Sequence, residues 1–522
     1  MRIEEATIEE LQGALCRGET TASAILEAYC ARIDLYDGTL GAVRERNPQA
    51  VAASFKAART RSRRPLEGIP ILLKDNIATG DSLQTSAGSL ALEGAKSRRE
   101  ASLVSLLREA GAIILGKTNL TEFANILALD MPAGYSSLGG QVRNPYRPGV
   151  DEKGLPLASP GGSSSGSAVA VAASFAAAAI GTETSGSLLS PAQANGIVTL
   201  KPTVGLLSRA GIIPIASSQD TAGPMTQSVR DAAILLDVLA APDPLDPATL
   251  GQKRPPLYTG FLDKEGLKGA RIGIPSDPED PANDVYFGPL SPSERGLMDE
   301  AQEALQDLGA TLVRANLPTA GWIGGPATEM AILNTNPHSR RRYRKERLSL
   351  VLVYELKHDL EAYLRDWAEG TQMRSLADII LFNKDHRDGA LRFGQDVFLA
   401  AERTRGDLSE IEYRAARAMD LKSAREEGLD AHLHRHRLDA ILFPGARGAA
   451  IAAKAGYPSV AVPAGFAGEG DGEPLPTTVA FTGRAWSEPQ LLRFAYAFEQ
   501  ATRARRPPSL FPPLSSGRQE RR

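Results

Sequence analysis

Residues 68–74 read Gly-Ile-Pro-Ile-Leu-Leu-Lys, an apolar run that predicts a buried β-strand ending on Lys74. Strand-like and helix-like segments alternate from this run to about residue 240. We predict a helix over 102–110, a strand over 112–115 and a helix packed through small residues over 169–179. Alternating strands and helices are typical of an α/β fold in which helices cover the sheet.

The rest of the chain changes character along its length. We divide the sequence into five segments: N-terminal helices (1–60), an α/β core (65–310), a charged helical insertion (320–436), a return to core-like sequence (437–502) and a disordered tail (503–522). In the insertion, 350–367 and 410–437 are predicted to be helices, whereas 439–443 and 459–462 are predicted to be core strands. Such an insertion often forms the wall of a substrate site. The tail is rich in proline and arginine, which is the basis for predicting disorder.

The composition argues against several classes of function. The 522 residues carry a formal net charge of only −3, which gives no general electrostatic reason to bind nucleic acid or an anionic membrane. The two cysteines, Cys16 and Cys30, are too few for a disulfide framework. No apolar run reaches the roughly 18 residues of a membrane span. We therefore expect a cytoplasmic protein without nucleic-acid or membrane partners, and a homodimer is compatible with the sequence.

One pattern resembles a nucleotide-binding loop. Residues 111–118 read Gly-Ala-Ile-Ile-Leu-Gly-Lys-Thr and match the P-loop pattern G-x-x-x-x-G-K-[ST]. A P-loop needs a flexible turn whose backbone N–H groups surround phosphate. The four middle residues look like a strand instead, so we do not expect a nucleotide site.

A second pattern, Gly162-Ser-Ser-Ser-Gly166, matches the G-x-S-x-G nucleophile elbow of α/β-hydrolases. Two prolines within 155–160 argue against the strand that should precede the elbow, and all six histidines lie between 338 and 436. A chain in which one histidine folds back onto the elbow stays open as an alternative. The cluster 432–436 (His-Leu-His-Arg-His) lacks a cysteine or glutamate at zinc-ligand spacing, so we predict a solvated helix end and no metal.

Two serine-rich turns make a better candidate site. They span 159–167 and 181–187, and the single helix of small residues between them could bring both turns to the same end of a helix and strand pair. Their glycines let the backbone approach a substrate closely, and consecutive N–H groups can form an oxyanion hole. A serine needs a base to become a nucleophile. Lys74 can serve if burial without a close carboxylate lowers its pKa.

Taken together, these residues resemble the amidase signature family. The matching stretches run in the family's order through residues 68–76, 116–123, 160–167, 181–187, 200–203 and 220–224, with later similarity at 456–465 and 498–502. The resemblance implies a single α/β domain, residues 1–502, around a central mixed β-sheet covered by helices on both faces. It implies no cofactor. It also accounts for the P-loop match, because the family carries the same G-K-T-N turn.

The resemblance also implies a Ser–Ser–Lys triad. By motif position, Ser187 is the nucleophile, Ser163 is the bridging serine associated with a cis peptide bond, and Lys74 is the base. The resemblance assigns the oxyanion hole to the backbone N–H groups of four consecutive residues, Thr184, Ser185, Gly186 and Ser187. The expected reaction is hydrolysis of a carboxamide through an acyl-enzyme.

Three positions depart from the common family pattern. Ser165 and Ser185 replace glycines, and Leu189 stands where many members have arginine. Ser165 and Leu189, with the run at 181–184, resemble the branch of bacterial peptide amidases, as do 205–214 and 393–396. We expect a small aryl or alkyl amide or a peptide C-terminal amide as substrate. The alternative is the A subunit of a glutamine-dependent tRNA amidotransferase, which would need protein partners.

Overall fold

The computed structural model describes residues 2–59, 64–276, 284–468 and 473–514. Its strands are β1 (Val43–Arg46), β2 (Pro70–Lys74), β3 (Lys96–Ser97), β4 (Ile113–Thr118), β5 (Tyr135–Ser136), β6 (Gly140–Gln141), β7 (Ala178–Glu183), β8 (Val198–Lys201), β9 (Thr221–Thr226), β10 (Arg271–Ile274), β11 (Thr311–Arg314), β12 (Glu329–Leu333), β13 (Lys345–Ser349), β14 (Ala368–Glu369), β15 (Ala440–Pro444), β16 (Ser459–Ala467) and β17 (Leu475–Thr482).

The α-helices are α1 (Ile8–Arg17), α2 (Ala22–Leu40), α3 (Ala50–Arg59), α4 (Ser102–Glu109), α5 (Ser165–Ala172), α6 (Leu189–Asn195), α7 (Val229–Leu239), α8 (Pro292–Asp307), α9 (Leu350–Asp366), α10 (Leu376–Asp385), α11 (Arg387–Ala390), α12 (Asp396–Glu402), α13 (Ile411–Asp420), α14 (Ala431–Arg435), α15 (Ala449–Ala455) and α16 (Glu488–Thr502). A π-helix, Leu421–Asp430, joins α13 to α14. Local signals set the ends: α1 begins with a capping box between Thr7 and Glu10, and α2 ends at Gly41 in the left-handed conformation.

Eleven strands of the described chain form one sheet, in the order β1-β4-β2-β7-β9-β8-β16-β17-β15-β10-β11. Strands β4, β2 and β7 run parallel, as do β15, β10 and β11, and the other neighbours are antiparallel. The predicted α/β fold with a central mixed sheet is confirmed.

The middle of this sheet is covered on both faces. Every residue of β2, β4, β7, β8 and β9 is buried. Successive side chains of a strand point to opposite faces, so complete burial requires cover on each side. Helix α5 packs near β7 and β9, helix α7 packs near β8 and β9, and helices α6, α8 and α16 pack near β16 and β17.

The sheet brings three chain segments to one edge. Strands β2 and β7 are parallel neighbours, with Leu73 opposite Ile180, so the chain leaves both strands on the same side. Strand β9 runs antiparallel to β7 and begins there, with Thr221 opposite Glu183. The end of β2, the turn after β7 and the turn before β9 therefore meet.

The predicted helix over 169–179 is wrong in its bounds. Helix α5 lies earlier, over Ser165–Ala172, and the chain is already in strand β7 from Ala178. The run is buried throughout and apolar apart from Ser174, so it carries no periodicity that would separate a buried helix from a buried strand. The predicted strands at 68–74 and 112–115 and the predicted helix at 102–110 are found as β2, β4 and α4.

The outer stretches differ from prediction in detail. Residues 2–59 hold three of the predicted helices, and they also supply the edge strand β1. The insertion at 320–436 is mostly helical, as predicted, and it adds the hairpin of β12 and β13. No helix of the described residues is long and apolar enough to cross a membrane.

Residues 503–514, predicted to be disordered, pack against the N-terminal helices. Phe511 is buried and its ring contacts that of Tyr36, with centroids 5.4 Å apart. Arg32 donates hydrogen bonds to the carbonyl oxygens of Phe511 and Pro512. These contacts hold the first part of the tail in place, because the buried guanidinium of Arg32 needs hydrogen-bond acceptors and the tail carbonyl oxygens supply two of them. The rest of the predicted tail, 515–522, lies outside the described residues.

Candidate active site

Lys74 ends strand β2 inside the protein, with no solvent exposure. Its Nζ atom lies 2.8 Å from Ser163 Oγ, 2.9 Å from Ser164 Oγ and 2.9 Å from Thr182 Oγ1. The Thr182 carbonyl oxygen is a fourth acceptor at 3.2 Å. All four hydrogen-bond partners in the described chain are neutral, so no carboxylate compensates a charge on this lysine at short range.

Burial accordingly lowers the pKa of Lys74 from 10.5 to about 7. Desolvation is the largest cause, and the more distant carboxylates of Asp220 and Glu183 oppose it by raising the pKa. A lysine with this pKa is neutral in about half of the molecules at pH 7. A neutral amine has a lone pair, so Lys74 can accept a proton where an ordinary lysine cannot.

The hydroxyl groups around Lys74 are arranged for this role. Ser164 donates its own proton to the Thr182 carbonyl oxygen, 2.9 Å away, so Ser164 Oγ acts as an acceptor toward Lys74. The Ser163 hydroxyl has Lys74 as its hydrogen-bond partner in the described chain. Its O–H is therefore free to point toward the lone pair of a neutral Lys74 or away from it.

The turn that carries Ser163 is held tightly. The peptide bond Gly162–Ser163 is cis, as the resemblance implied. The Ser163 carbonyl oxygen accepts a hydrogen bond from the Thr121 N–H group at 3.0 Å. Gly161 has φ +68°, and a Cβ atom there would lie 2.4 Å from the backbone of Pro191. Only glycine fits this position, so the turn can pack directly on helix α6.

Ser187 lies in the turn between β7 and α6. Its carbonyl oxygen accepts a hydrogen bond from the Ser164 N–H group at 3.2 Å, which joins the two serine-rich turns through the backbone. Its hydroxyl has no hydrogen-bond partner in the described part of the chain, so it is not hydrogen-bonded to Ser163. The backbone N–H groups of Ser185, Gly186 and Ser187 likewise donate to no group of the described residues. These donors remain available to a ligand.

Two buried carboxylates shape this turn. Glu183 accepts hydrogen bonds from the N–H groups of Leu188 and Leu189, at 2.7 and 3.0 Å, and so caps the start of α6 directly after Ser187. Asp220 accepts a short hydrogen bond from the Thr184 hydroxyl and two more from the N–H groups of Ile215 and Ala216. Burial raises the pKa of Asp220 to about 7.

The structure places the predicted site residues unequally. Lys74 and Ser163 are in direct contact, and Ser187 is joined to their cluster through the backbone of Ser164. Ser185 is exposed, unlike its buried neighbours in the turn. Among the three residues of the candidate triad, only Lys74 and Ser163 share a side-chain hydrogen bond in the described chain.

Sequence reasoning missed the roles of several residues. Ser164 and Thr182 both contact Lys74, and Asn76 donates to Thr182 Oγ1 at 3.0 Å. Asn76 and Asp220 belong to stretches that carry the family resemblance, and that was the available signal. Their partners lie more than a hundred positions away or on another strand, and such pairings are invisible in a single sequence.

The competing patterns serve other purposes. Lys117, in the P-loop match, lies inside strand β4 and donates to the carbonyl oxygens of Ile77 and Gln84. The lysine thus holds the loop after β2, as the strand interpretation requires. His432 is buried, and burial lowers its pKa to about 4. The prediction of a fully solvated helix end at 432–436 is therefore wrong for this histidine.

A cavity of about 270 Å³ lies beside the turn that carries Ser187. It is bordered by Thr182, Thr184 and Asp220 on the sheet side and by Tyr363 and Trp367 at the end of α9. Neither Ser163 nor Ser187 lines it. The cavity therefore adjoins the turn that carries Ser187 without containing the serine, and its position suits a neighbouring part of a bound substrate.

Known proteins resemble this chain along nearly its whole length. A family model described as Amidase matches residues 24–492. A probable amidase from Arabidopsis thaliana is 37% identical over 97% of this chain and 92% of its own length. The A subunit of the glutamyl-tRNA(Gln) amidotransferase from Symbiobacterium thermophilum is 32% identical over 93% of this chain and 94% of its own length.

Solved structures agree with this relationship. The peptide amidase from Stenotrophomonas maltophilia has 43% identity and a TM-score of 0.83, over 97% of this chain and 99% of that chain. An amidase family protein from Bacillus anthracis has 33% identity and a TM-score of 0.84, over 97% and 92%. The protein is a hydrolase acting on carbon–nitrogen bonds, and it belongs to the amidase signature family.

Proposed function

We propose that this protein hydrolyses a carboxamide through an acyl-enzyme, with Ser187 as nucleophile, Ser163 as proton relay and Lys74 as base. One observation carries the proposal: the fully buried Lys74 has only neutral hydrogen-bond partners, a pKa lowered to about 7, and a Ser163 hydroxyl 2.8 Å away. Lys117 and Lys201 are also buried without a carboxylate partner in the described chain, but they donate mainly to backbone carbonyl oxygens. Lys74 differs from them because it contacts two serine hydroxyls.

The proposed reaction proceeds in two halves. Ser187 Oγ attacks the amide carbonyl carbon while its proton passes to Ser163, whose own proton passes to neutral Lys74. The tetrahedral intermediate then breaks its carbon–nitrogen bond as the relay returns a proton to the leaving amine or ammonia. Water then attacks the ester carbonyl carbon while its proton passes through Ser163 to Lys74. The relay returns this proton to Ser187 Oγ as the acyl carbon–oxygen bond breaks and the acid is released. Protons balance in each half, and no step requires a cofactor or a metal.

We assign stabilisation of the tetrahedral oxyanion to the N–H groups from Thr184 to Ser187. Support comes from the free amides of Ser185, Gly186 and Ser187, which have no acceptor in the described chain. Asp220 holds Thr184, the first residue of this run, in place because its carboxylate accepts a hydrogen bond from the Thr184 hydroxyl. Losing one such donor costs about 3 kcal/mol of transition-state stabilisation in other acyl-transfer enzymes.

The proposed substrates are small aryl or alkyl amides and peptide C-terminal amides. The 43% identity to a peptide amidase over almost both chains supports the second group. The test is a panel of benzamide, hexanamide and N-acyl dipeptide amides, with release of ammonia measured for the wild type and for Ser187→Ala. We expect turnover of at least one amide by the wild type and none by the variant. Equal turnover by both would overturn the proposal.

The A subunit of a glutamine-dependent tRNA amidotransferase is the second candidate. The 32% identity to such a protein over 93% of this chain favours it. Glutamine distinguishes the two candidates: an amidotransferase component should release ammonia from glutamine once its partner subunits are added. We expect the isolated chain to hydrolyse other amides without partners, and partner-dependent glutaminase activity alone would support the second candidate.

The proposed compartment is the cytoplasm. Cys16 and Cys30 are both free thiols, as expected in a reducing environment.

A further inference from the structure

The cavity beside the turn that carries Ser187 has a composition of its own. Its charged lining residues are four carboxylates and one guanidinium: Asp220, Asp246, Asp359, Asp366 and Arg209. We call this space the acidic cavity. Thr184 lines it three positions before Ser187, so a group bound there would lie next to the amide under attack.

Two arginines near the acidic cavity already form ion pairs with two of its carboxylates. Arg209 binds Asp246 through two nitrogen atoms, at 2.6 and 2.7 Å. Asp366 pairs with the exposed Arg365 at 2.9 Å. Within the described residues, Asp220 and Asp359 have no lysine or arginine partner. Burial raises the pKa of Asp220 to about 7, so Asp220 carries only part of a charge at neutral pH. The excess of negative charge in the cavity therefore comes mainly from the carboxylate of Asp359.

Asp359 is the better placed of these two carboxylates for a ligand. Asp220 already accepts three hydrogen bonds, from Thr184 and two backbone N–H groups. Asp359 accepts one from the Ser217 N–H group at 2.6 Å and lies 2.8 Å from a ring nitrogen of His358. Its side chain is 10% exposed, so a charge beside it is only partly screened by water.

Two lining residues also carry buried polar atoms without a partner. Asn76 is 2% exposed and Tyr363 is 5% exposed, and neither Asn76 Oδ1 nor the Tyr363 hydroxyl has a hydrogen bond in the described chain. Asn76 donates through its amide nitrogen to the Ile213 carbonyl oxygen, so its Oδ1 atom is a true acceptor. Leaving such atoms unpaired costs free energy, which a ligand with N–H donors would recover.

We propose that the acidic cavity binds a protonated amine of the substrate. An ammonium group has three donors and no acceptor, and the cavity offers the oxygen atoms of Asp359, Asn76 and Tyr363. The Tyr363 ring adds an aromatic wall that can contact an ammonium group. The ring of Trp367 already has a cation over it, because the Arg99 guanidinium lies 4.0 Å from its centroid. This inference rests on the proposed amidase function and narrows its substrates to amides that carry a nearby positive charge.

Three matched amides separate the possible sources of that charge. Nα-acetyl-lysinamide places it on the side chain, norleucinamide on the α-amine, and Nα-acetyl-norleucinamide has none. We expect one of the two cationic amides to have a kcat/KM about fivefold or more above that of the neutral amide. Asp359→Asn should reduce that ratio toward one, and Asp366→Asn should reduce it less because its carboxylate is already paired. Glu303→Gln, an exposed acid on α8, should leave the ratio unchanged.

Binding to Ser187→Ala tests the cavity without turnover. Calorimetry should show tighter binding of the preferred cationic amide than of Nα-acetyl-norleucinamide, and adding Asp359→Asn should remove the difference. Equal binding of all three amides, or a difference that Asp359→Asn does not change, would overturn the inference. If the wild type hydrolyses all three equally well, the proposed function stands and the cavity assignment fails. If it hydrolyses none while binding still depends on Asp359, the proposed function fails and the cavity assignment stands.

Discussion

The Nζ atom of Lys74 lies 2.8 Å from the Oγ atom of Ser163, and burial lowers the pKa of this lysine to about 7. The two facts belong together. The hydroxyl can donate a hydrogen bond to Nζ only when the amine is neutral, and the absence of a carboxylate partner in the described chain makes neutrality accessible. The first prediction follows from this pair.

Activity should depend on deprotonation of Lys74. Because the neutral amine is the base, kcat/KM should rise with pH through about 7 and be roughly tenfold lower at pH 6 than on the alkaline plateau. Initial rates on one good amide between pH 5 and 9, in buffers of constant ionic strength, measure this. Activity that does not change between pH 6 and pH 8 would contradict a base with this pKa.

Lys74 should also make stability depend on pH. Its pKa is about 7 in the folded protein and 10.5 when unperturbed, so between these values the unfolded chain binds a proton that the folded protein does not. The free energy of unfolding therefore rises with pH through this window, and the cost of charging the buried lysine is fully present below pH 7. Lys74→Met removes this contribution.

The stability of Lys74→Met relative to wild type should thus be greatest at pH 6 and decrease by roughly 3–4 kcal/mol by pH 10. Urea unfolding of both proteins at pH 6, 8 and 10 measures the difference. Lys117 and Lys201, whose pKa values are also lowered by burial, titrate in both proteins and cancel. A difference that is constant across the three pH values would show that Lys74 is not desolvated.

Ser164 should position Lys74. Its hydroxyl bridges Nζ and the Thr182 carbonyl oxygen, so Ser164→Ala leaves both without this partner. A buried polar group left unpaired costs about 1–3 kcal/mol, so we expect kcat to fall roughly 10- to 100-fold with little change in KM. Ser167→Ala is the matched control: Ser167 is buried in helix α5, which begins directly after Ser164, but it contacts Thr118, so its loss should affect stability and not kcat. Equal effects on kcat would reject a positioning role.

Asp220 should tune the base through its charge. Its carboxylate raises the pKa of Lys74, so Asp220→Asn should move the midpoint of the pH–rate profile to a lower pH. Thr184→Val removes a hydrogen bond that lowers the pKa of Asp220, so the carboxyl group is protonated more readily. It should move the midpoint in the same direction as Asp220→Asn, but by less. A midpoint that is unchanged in Asp220→Asn would separate this carboxylate from the base.

The sequence predicted the parts of the site that depend on local chemistry. The run before Lys74 is apolar enough to be a buried strand, and the glycine- and serine-rich turns around Ser163 and Ser187 need backbone conformations that few other residues allow. The surroundings that set the pKa of Lys74 include Thr182 and Asp220, which come close to it through the pairing of β7 with β2 and β9. Strand pairing is a long-range property, and the local sequence around Thr182 and Asp220 does not indicate it.

The errors have the same origin. Residues 169–179 are buried throughout and mostly alanine and valine, so the hydrophobic pattern could not place the boundary between α5 and β7. The start of the tail is rich in proline and arginine, yet Phe511 finds a buried place beside Tyr36. Both outcomes are decided by tertiary contacts that composition does not contain.

Reaction with a fluorophosphonate probe tests the central claim most directly. The probe forms a covalent bond with an activated serine, and mass spectrometry of the digested protein locates it. We predict one adduct, on Ser187, that disappears in Ser187→Ala and forms at least tenfold more slowly in Lys74→Met and Ser163→Ala. An adduct on another serine, or unchanged labelling of Ser187 in Lys74→Met, would contradict activation of Ser187 through Ser163 by Lys74.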